Sequence, residues 1–284
     1  MNFYVNARTQ HSNMDEEMIS VKQDKTKAAF QLLIFVTSIL ATIQLVQFLP
    51  AMMGFSQPYI PIAILLTLLT MLLSKTLLTR ENQSLTDLSL YWAKDLWRNA
   101  LCGIFLGGIL FIFMIGTLIL FTNLSYHIDE TTNLISFLTI SIPTLLILSI
   151  VEEVIFRGYF LFKLKTEFGI RTAIYVTAII FGLYHGLSFE AAFGPFTFGL
   201  IFGLMALKSK GLILPIVFHF MLNWMQALFG MKEKYTSGMF ELVFVGEPTF
   251  IEADKLGLAI HLLLLVAAIF AIEHHIKRRK NMES

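Results

Sequence analysis

The stretch Ile150-Val151-Glu152-Glu153-Val154-Ile155-Phe156-Arg157-Gly158 ends a long apolar run with two adjacent carboxylates and an arginine. Ionisable side chains at membrane depth are costly, and they seldom occur there without a partner or a function. In a helix, Glu153 and Arg157 stand four residues apart and can form an ion pair, whereas Glu152 is turned by about 100°. The sequence therefore predicts that Glu152 does chemistry and that Glu153 and Arg157 support it.

The composition is that of a polytopic membrane protein. The chain has 284 residues, of which 56% are hydrophobic and 14% are charged, against about 25% charged residues in an ordinary soluble domain. Its net charge of +1 provides no basic surface, so nucleic acid is not expected as a partner. The single cysteine, Cys102, excludes an internal disulfide and a cysteine-built metal site.

Apolar segments of about 20 residues, the length that crosses a bilayer, occur eight times. The predicted spans are 28–49, 59–79, 100–122, 133–155, 171–188, 192–207, 212–230 and 256–275. Because cytoplasmic loops carry the excess of Lys and Arg, both termini are expected inside, which places 18 of the 21 basic residues in the cytoplasm. The predicted fold is an all-α bundle of about eight transmembrane helices. It has a polar tail at 1–27, a membrane-embedded domain at 28–277 and a basic tail at 278–284.

Two segments beside the spans, 88–98 and 156–168, are predicted as interfacial helices, since both mix aromatic with charged residues. With the spans drawn as above, Glu152 lies near the inner end of span four. His185 lies about 14 residues, or roughly 21 Å, from the inner end of span five. We therefore expect span four to begin near Pro143 and to continue past Glu153 towards Phe162.

Three spans carry polar groups in apolar surroundings. Besides Glu152, span five contains Phe181-Gly182-Leu183-Tyr184-His185 and span seven contains His219-Phe220-Met221-Leu222-Asn223. A carboxylate can take a proton from water, and a histidine can hold that water or relay the proton to a leaving amine. His219 and Asn223 share one helix face and can donate hydrogen bonds to an oxyanion. For any one of the His and Asn residues alone, an interhelical hydrogen bond explains the residue equally well, whereas together they favour a site.

Small and isolated residues add weaker signals. Gly182 with Gly186, and Gly199 with Gly203, have the GxxxG spacing that allows helices to approach closely. His261 in span eight has no partner at helical spacing, which favours packing or a local hydrogen bond for it.

The three motifs together resemble those of one protease family. They are E-E-x-x-x-R at Glu152, Glu153 and Arg157, F-x-x-x-H at Phe181 and His185, and H-x-x-x-N at His219 and Asn223. The chain is similar here to the CPBP family of CAAX proteases and bacteriocin-processing enzymes, also called Abi, which includes the type II CAAX prenyl endopeptidases. The resemblance covers roughly residues 130–230. It implies a multi-pass intramembrane endopeptidase of the bacterial cell membrane, surrounded by the lipid bilayer and acting on membrane-embedded or membrane-associated peptides.

The resemblance also implies a role for each motif residue. Glu152 is expected to be the general base that activates water, with His185 as its partner on that water. His219 and Asn223 are expected on the oxyanion side. The family has been described both as metalloproteases and as glutamate-dependent peptidases. No H-E-x-x-H helix is present, which favours the second type without a cofactor; a divalent metal such as zinc held by Glu152, His185 and His219 is the alternative.

Two functions from other classes stay open at this point. A non-catalytic membrane protein could confer self-immunity against a bacteriocin or regulate a membrane partner. A small-solute transporter is less favoured, because the chain has no internal repeat.

Overall fold

The computed structural model describes residues 25–42, 59–88, 95–247 and 250–283. Most of them are helical, which confirms the all-α class. The helices are α1 (25–42), α2 (Tyr59–Thr79), α3 (Leu96–Phe121), α4 (Leu134–Ile155), α5 (Leu161–His185), α6 (Phe189–Ser209), α7 (Ile213–Leu228) and α8 (Ala253–Glu283). α8 thus extends through the predicted basic tail. The predicted N-terminal tail and the predicted helix at 88–98 fall largely outside the described residues, on 1–24 and 89–94.

Five helical segments of the described chain are long and apolar enough to cross a membrane. They are Ile60–Thr79, Leu96–Phe121, the continuous run Leu134–His185, Phe189–Ser209 and Ala253–Met282. α7 is apolar but shorter. On α3, large apolar side chains such as Phe105 and Ile109 are exposed, as is usual for a surface that faces lipid. The chain is an integral membrane protein, while the number of eight crossings and the orientation stay predictions.

A small antiparallel sheet, which the sequence did not predict, joins two loops. Strand β1 (Leu124–Ile128) follows α3, and strand β2 (Phe240–Phe244) lies between α7 and α8. Tyr126 of β1 pairs with Leu242 of β2. The pairing puts the α3–α4 and α7–α8 connections at the same end of the bundle, as the predicted topology requires.

The motif residues of α4 lie within a helical run that has non-helical backbone angles at two glycines, Gly158 (φ −75°, ψ −119°) and Gly169. α4 continues through a π-helical turn, Phe156–Phe160, directly into α5. The run reverses its direction at Gly169, whose φ of +87° and ψ of +165° are a conformation that glycine adopts readily. Glu152 precedes Gly169 by 17 residues and His185 follows it by 16, so the two are nearly equally far from the turn along the chain. The two side chains therefore reach the same level of the bundle.

This course of the chain corrects the predicted position of span four. α4 begins at Leu134 and not near Pro143, which is accommodated inside the helix. The predicted continuation past Glu153 is confirmed. Glu152 accordingly lies in the interior of a long helical run and not at the inner end of a span.

The segment 156–168 is likewise not an interfacial helix. Its first residues, Phe156–Phe160, are all buried. Nζ of Lys163 lies 2.9 Å from carboxylate oxygens of both Glu81 and Glu167. The ammonium group of Lys163 is thus paired with carboxylates of the protein itself.

Glycines bring α5 and α6 into backbone contact, which agrees with the GxxxG spacing. A Cβ atom at Gly182 would lie 2.9 Å from the carbonyl oxygen of Ala192 in α6. A Cβ atom at Gly199 would lie 3.0 Å from Cα of Ala178 in α5. The two helices could not pack at this distance with larger residues at these positions.

Gly199→Ala is expected to destabilise the protein by about 1–3 kcal/mol, the usual cost of overpacking. The added methyl group meets the backbone of α5 and not the end of a flexible side chain. Thermal unfolding in detergent micelles measures the effect. Gly116→Ala in α3 is the matched control, because no atom of the described chain lies within 4 Å of its added methyl group. Equal unfolding midpoints for the two variants would contradict the close α5–α6 contact.

Candidate active site

The structure brings the four predicted catalytic side chains together. Glu152 comes from α4, His185 is the last residue of α5, and His219 and Asn223 lie one turn apart on α7. Nε2 of His219 lies 3.7 Å from Oε2 of Glu152. Nε2 of His185 lies 3.9 Å from the same oxygen. Asn223 lines the same cavity as these three residues. The catalytic role of each residue stays a prediction.

His185 is fixed in one tautomer by its own helix. Its Nδ1 atom donates a hydrogen bond of 2.8 Å to the carbonyl oxygen of Phe181, since a carbonyl oxygen can only accept. Nε2 of the neutral ring is therefore unprotonated and faces Glu152. Two acceptors 3.9 Å apart do not bond to each other, but both can accept from one molecule that lies between them.

His219 is held from the opposite side of its ring by Glu153. Its Nδ1 atom donates to Oε1 of Glu153 over 3.0 Å. The imidazole is buried and stacks on the ring of Phe202, with the ring centroids 4.6 Å apart. Because Nδ1 donates to Glu153, Nε2 can donate a hydrogen bond only when the ring is an imidazolium. Glu153 is the counter-ion for that form.

Glu153 and Arg157 form the ion pair that their spacing predicts. Nη1 of Arg157 donates to Oε1 of Glu153 over 3.0 Å, and both side chains are fully buried. Nη2 of Arg157 donates to the carbonyl oxygen of Gly199 in α6 over 3.1 Å. Oε1 of Glu153 thus accepts hydrogen bonds from Arg157 and His219 together, and this network joins α4 to α6 and α7.

Phe181 lies between the ion pair and the imidazoles. The guanidinium carbon of Arg157 is 4.4 Å from the centroid of its ring, which is a cation–π distance. The same ring is 4.6 Å from that of His185 and 6.1 Å from that of His219. Phe181 therefore supports the site through its ring as well as through its carbonyl group.

Glu152 lies outside the ion-pair network. Its Oε2 atom is buried and accepts no hydrogen bond from the described residues. Burying an unsatisfied carboxylate oxygen is costly, and such atoms in native sites call for a water, an ion or a substrate. Oε2 of Glu153 is also buried without a hydrogen bond. The two glutamates differ because Oε1 of Glu153 accepts from Arg157 and His219, whereas Glu152 has no such donor among the described residues.

Two adjoining cavities surround these side chains. The larger, of about 410 Å³, is lined by the four predicted catalytic residues and by Tyr184, Lys232, Lys234 and Tyr235 among others. The smaller, of about 160 Å³, is lined by aromatic rings of α5 and α6 and by His261. Nδ1 of His261 donates to the carbonyl oxygen of Gly257 over 2.9 Å, the local hydrogen bond expected for it. The larger volume admits several waters or a few peptide residues.

Several residues of the site were missed by sequence reasoning. Phe202 supports His219 from α6, and Lys232 and Tyr235 line the larger cavity from the loop after α7. None of the three stands at a fixed spacing from a motif. The one sequence signal for Lys232 is that it follows a short apolar helix closely, because ionisable side chains in or near such segments are often functional.

The geometry does not fit a bound zinc ion. The ligands of a tetrahedral zinc with bonds of about 2.0 Å lie about 3.3 Å apart, whereas the two nitrogen–oxygen separations here are 3.7 and 3.9 Å. Within the described ranges, no group of three His, Cys, Asp or Glu side chains is spaced to hold a metal ion. No step of the chemistry is therefore assigned to a metal.

Comparison with known families identifies the segment that carries this site. Residues 133–225 match a family model described as type II CAAX prenyl endopeptidase, Rce1-like. The match runs from the start of α4 into α7 and contains all three motifs, whereas Lys232 and β2 lie beyond it. No curated protein matches the chain. Over residues 133–225, the chain is therefore similar to the CAAX protease (CPBP) family.

Proposed function

We propose that this protein is an intramembrane endopeptidase in which water activated by Glu152 hydrolyses a peptide bond of a membrane-embedded or membrane-associated peptide. One observation carries the proposal: the buried Oε2 of Glu152 accepts no hydrogen bond from the described residues and lies near Nε2 of two imidazoles. The family match over residues 133–225 supports protease activity.

The attacking water is held between Glu152 and His185. Since the two acceptor atoms are 3.9 Å apart, one water oxygen can lie about 2.8 Å from both. One O–H bond points to Oε2 of Glu152 and the other to Nε2 of His185. As the oxygen attacks the carbonyl carbon, Glu152 takes the first proton and becomes a carboxylic acid. The carbonyl oxygen becomes an oxyanion.

α7 supplies the donors for that oxyanion. His219 as an imidazolium donates through Nε2, and Asn223 donates through its amide nitrogen. One donor of this kind is typically worth about 3 kcal/mol in the transition state. Glu152 then passes its proton to the amine nitrogen as the C–N bond breaks, which restores the carboxylate and releases both halves of the peptide. Glu153 and Arg157 hold His219 in position throughout.

Digestion of a synthetic peptide library tests the proposal. The full chain is purified, reconstituted in nanodiscs and incubated with an equimolar library, and the products are identified by mass spectrometry. Membrane fractions of cells that express the wild-type or the Glu152→Gln protein provide a second pool of substrates. Products are expected with the wild-type protein only. Equal products from both proteins would refute the proposal, and protection against a bacteriocin that survives Glu152→Gln would favour self-immunity instead.

Cleavage is expected to continue in the presence of the zinc chelator ortho-phenanthroline, because the mechanism uses only side chains and water. Its isomer meta-phenanthroline, which does not chelate, is the matched control for effects of the compound itself. If the chelating isomer alone stops cleavage and added zinc restores it, the glutamate-only mechanism is wrong.

A further inference from the structure

Lys232 lies where the two cavities adjoin. Four residues line both of them: His185, His219, Asn223 and Lys232. The first three belong to the proposed reaction centre, whereas Lys232 lies outside the motifs and outside the matched residues. Among the described residues that line the smaller cavity, Lys232 is the one Lys, Arg, Asp or Glu side chain. A peptide that occupies both cavities therefore passes this ammonium group next to the catalytic side chains.

The backbone holds Lys232 in a defined place. α7 ends at Leu228. Two residues later, Gly230 has a φ of +71° that suits glycine, and the N–H group of Met231 donates back to the carbonyl oxygen of Gln226 over 2.9 Å. These are features of a Schellman motif. The carbonyl oxygen of Lys232 accepts from the N–H group of Tyr235 over 2.8 Å. The lysine is thus fixed relative to α7, which also carries His219 and Asn223.

The ammonium group of Lys232 has no counter-ion within the described part of the chain: no ion pair or hydrogen bond involves its Nζ atom, and the charge of Glu152 acts on it only from a distance. Burial lowers the pKa of Lys232, and Glu152 opposes that change. A partly buried ammonium without a paired anion is unfavourable. An anionic group that enters the cavity would remove this cost.

The charged side chains that line the larger cavity also favour an anionic ligand. Its Lys, Arg, Asp and Glu side chains are Lys232, Lys234 and Glu152. The cavity is therefore positive overall when the histidines are neutral. Such a cavity favours anionic ligands over neutral or cationic ones.

We propose that Lys232 is a specificity residue that binds a carboxylate of the peptide substrate beside the bond that is cut, an inference that rests on the proposed peptidase function. The carboxylate has two chemical sources, the free C-terminus of a peptide cut near its end or the side chain of an internal Asp or Glu. Both form the same charge-assisted hydrogen bond. An apolar side chain of the same peptide fits the smaller cavity among Phe181, Phe198 and Phe202.

A different role for the same charge would be to keep Glu152 ionised. That role would change the pH dependence of cleavage equally for all peptides. Binding of a substrate carboxylate instead changes the ratio between peptides that have the carboxylate and peptides that lack it. This ratio is therefore the quantity that separates the two roles.

Retention of peptides on immobilised protein measures the ratio without requiring cleavage. The full chain with Glu152→Gln, in nanodiscs, is equilibrated with synthetic apolar decapeptides, and bound peptides are quantified by mass spectrometry. In one arm each peptide is present as the C-terminal acid and as the C-terminal amide. In the other arm the C-terminus is always an amide and one internal position is Asp or Asn.

Two further proteins complete the experiment. Lys232→Met is added to the Glu152→Gln chain in the first, and Lys255→Met in the second. Lys255 is an exposed lysine paired with Glu252 at 2.8 Å, so its substitution removes an equal charge outside the cavities. Size-exclusion profiles and unfolding midpoints show that all three proteins are folded.

With Lys232 present, the carboxylate form is expected to be retained about tenfold more than the neutral form in at least one arm. Lys232→Met should abolish this preference and Lys255→Met should preserve it. The arm that shows the preference identifies the source of the carboxylate.

A preference that is the same with and without Lys232, or that is absent when Lys232 is present, would overturn the inference. The proposed peptidase function fails in a different way. If the chain with an intact Glu152 cuts none of these peptides, but the preference still depends on Lys232, the carboxylate site stands and the peptidase assignment does not.

Discussion

Replacement of Glu152 by glutamine is expected to lower kcat/KM by about 10²–10⁴-fold, the range that a general base contributes. The amide keeps the shape of the side chain but cannot take a proton from water. Because Oε2 accepts no hydrogen bond from the described residues, the substitution removes no observed contact of that oxygen, and the unfolding midpoint should not fall. Initial rates on a peptide found in the library digest, together with thermal unfolding of the same preparation, measure both quantities.

Glu153→Gln is the matched control for Glu152→Gln. Glu153 accepts hydrogen bonds from Arg157 and His219, so Glu153→Gln should lower the unfolding midpoint as well as the activity. A Glu152→Gln protein that keeps more than about a tenth of the wild-type kcat/KM would contradict the role of Glu152 as general base. A larger loss of stability for Glu152→Gln than for Glu153→Gln would contradict the assignment of Glu153 as the structural member.

Arg157→Met is expected to destabilise the protein by about 3–5 kcal/mol, the cost of leaving a buried charge without its partner. The carboxylate of Glu153 is fully buried and would keep His219 as its remaining hydrogen-bond donor. The carbonyl group of Gly199 would lose the hydrogen bond from Nη2. Methionine retains much of the apolar stem of arginine, so little of the effect comes from packing. Unfolding in mixed micelles of increasing denaturing-detergent content measures the loss.

Two further variants distinguish the effect of a buried ion pair on stability from the effect of removing any charged side chain. Arg171→Met breaks an exposed ion pair with Glu273, for which little or no loss of stability is expected because solvent screens exposed charges. Glu153→Gln combined with Arg157→Met removes both buried charges and should recover part of the stability lost by Arg157→Met alone. Equal losses for Arg157→Met and Arg171→Met would show that burial of the pair does not determine its effect.

The sequence was sufficient to predict the Glu153–Arg157 pair and to select the residues that meet. Ions and amides in apolar segments need partners, and a spacing of four residues on a helix determines which neighbours can reach each other. For this reason Glu152, His185, His219 and Asn223 could be chosen without coordinates. The further hydrogen bond from His219 to Glu153 could not be predicted, because spacing within one helix says nothing about the rotation of another helix against it.

The reversal at Gly169 was missed for a different reason. One glycine in a charged segment is a weak signal, and Lys163 and Lys165 made the segment resemble a membrane surface. Only the tertiary structure shows that Lys163 pairs with Glu81 from the turn after α2. The pairing of β1 with β2 also becomes visible only in the tertiary structure, because it joins segments more than 100 residues apart. Neither strand is long enough to be recognised alone.

The position of Gly169 midway between Glu152 and His185 has a consequence for changes in chain length. Each residue inserted into or deleted from a helix turns everything beyond it by about 100° and shifts it by about 1.5 Å. A single-residue deletion between Arg171 and Phe181 would therefore rotate the imidazole of His185 away from the carboxylate of Glu152. Indels in this hairpin should be tolerated only in compensating pairs or in multiples close to a whole helical turn, whatever their sequence.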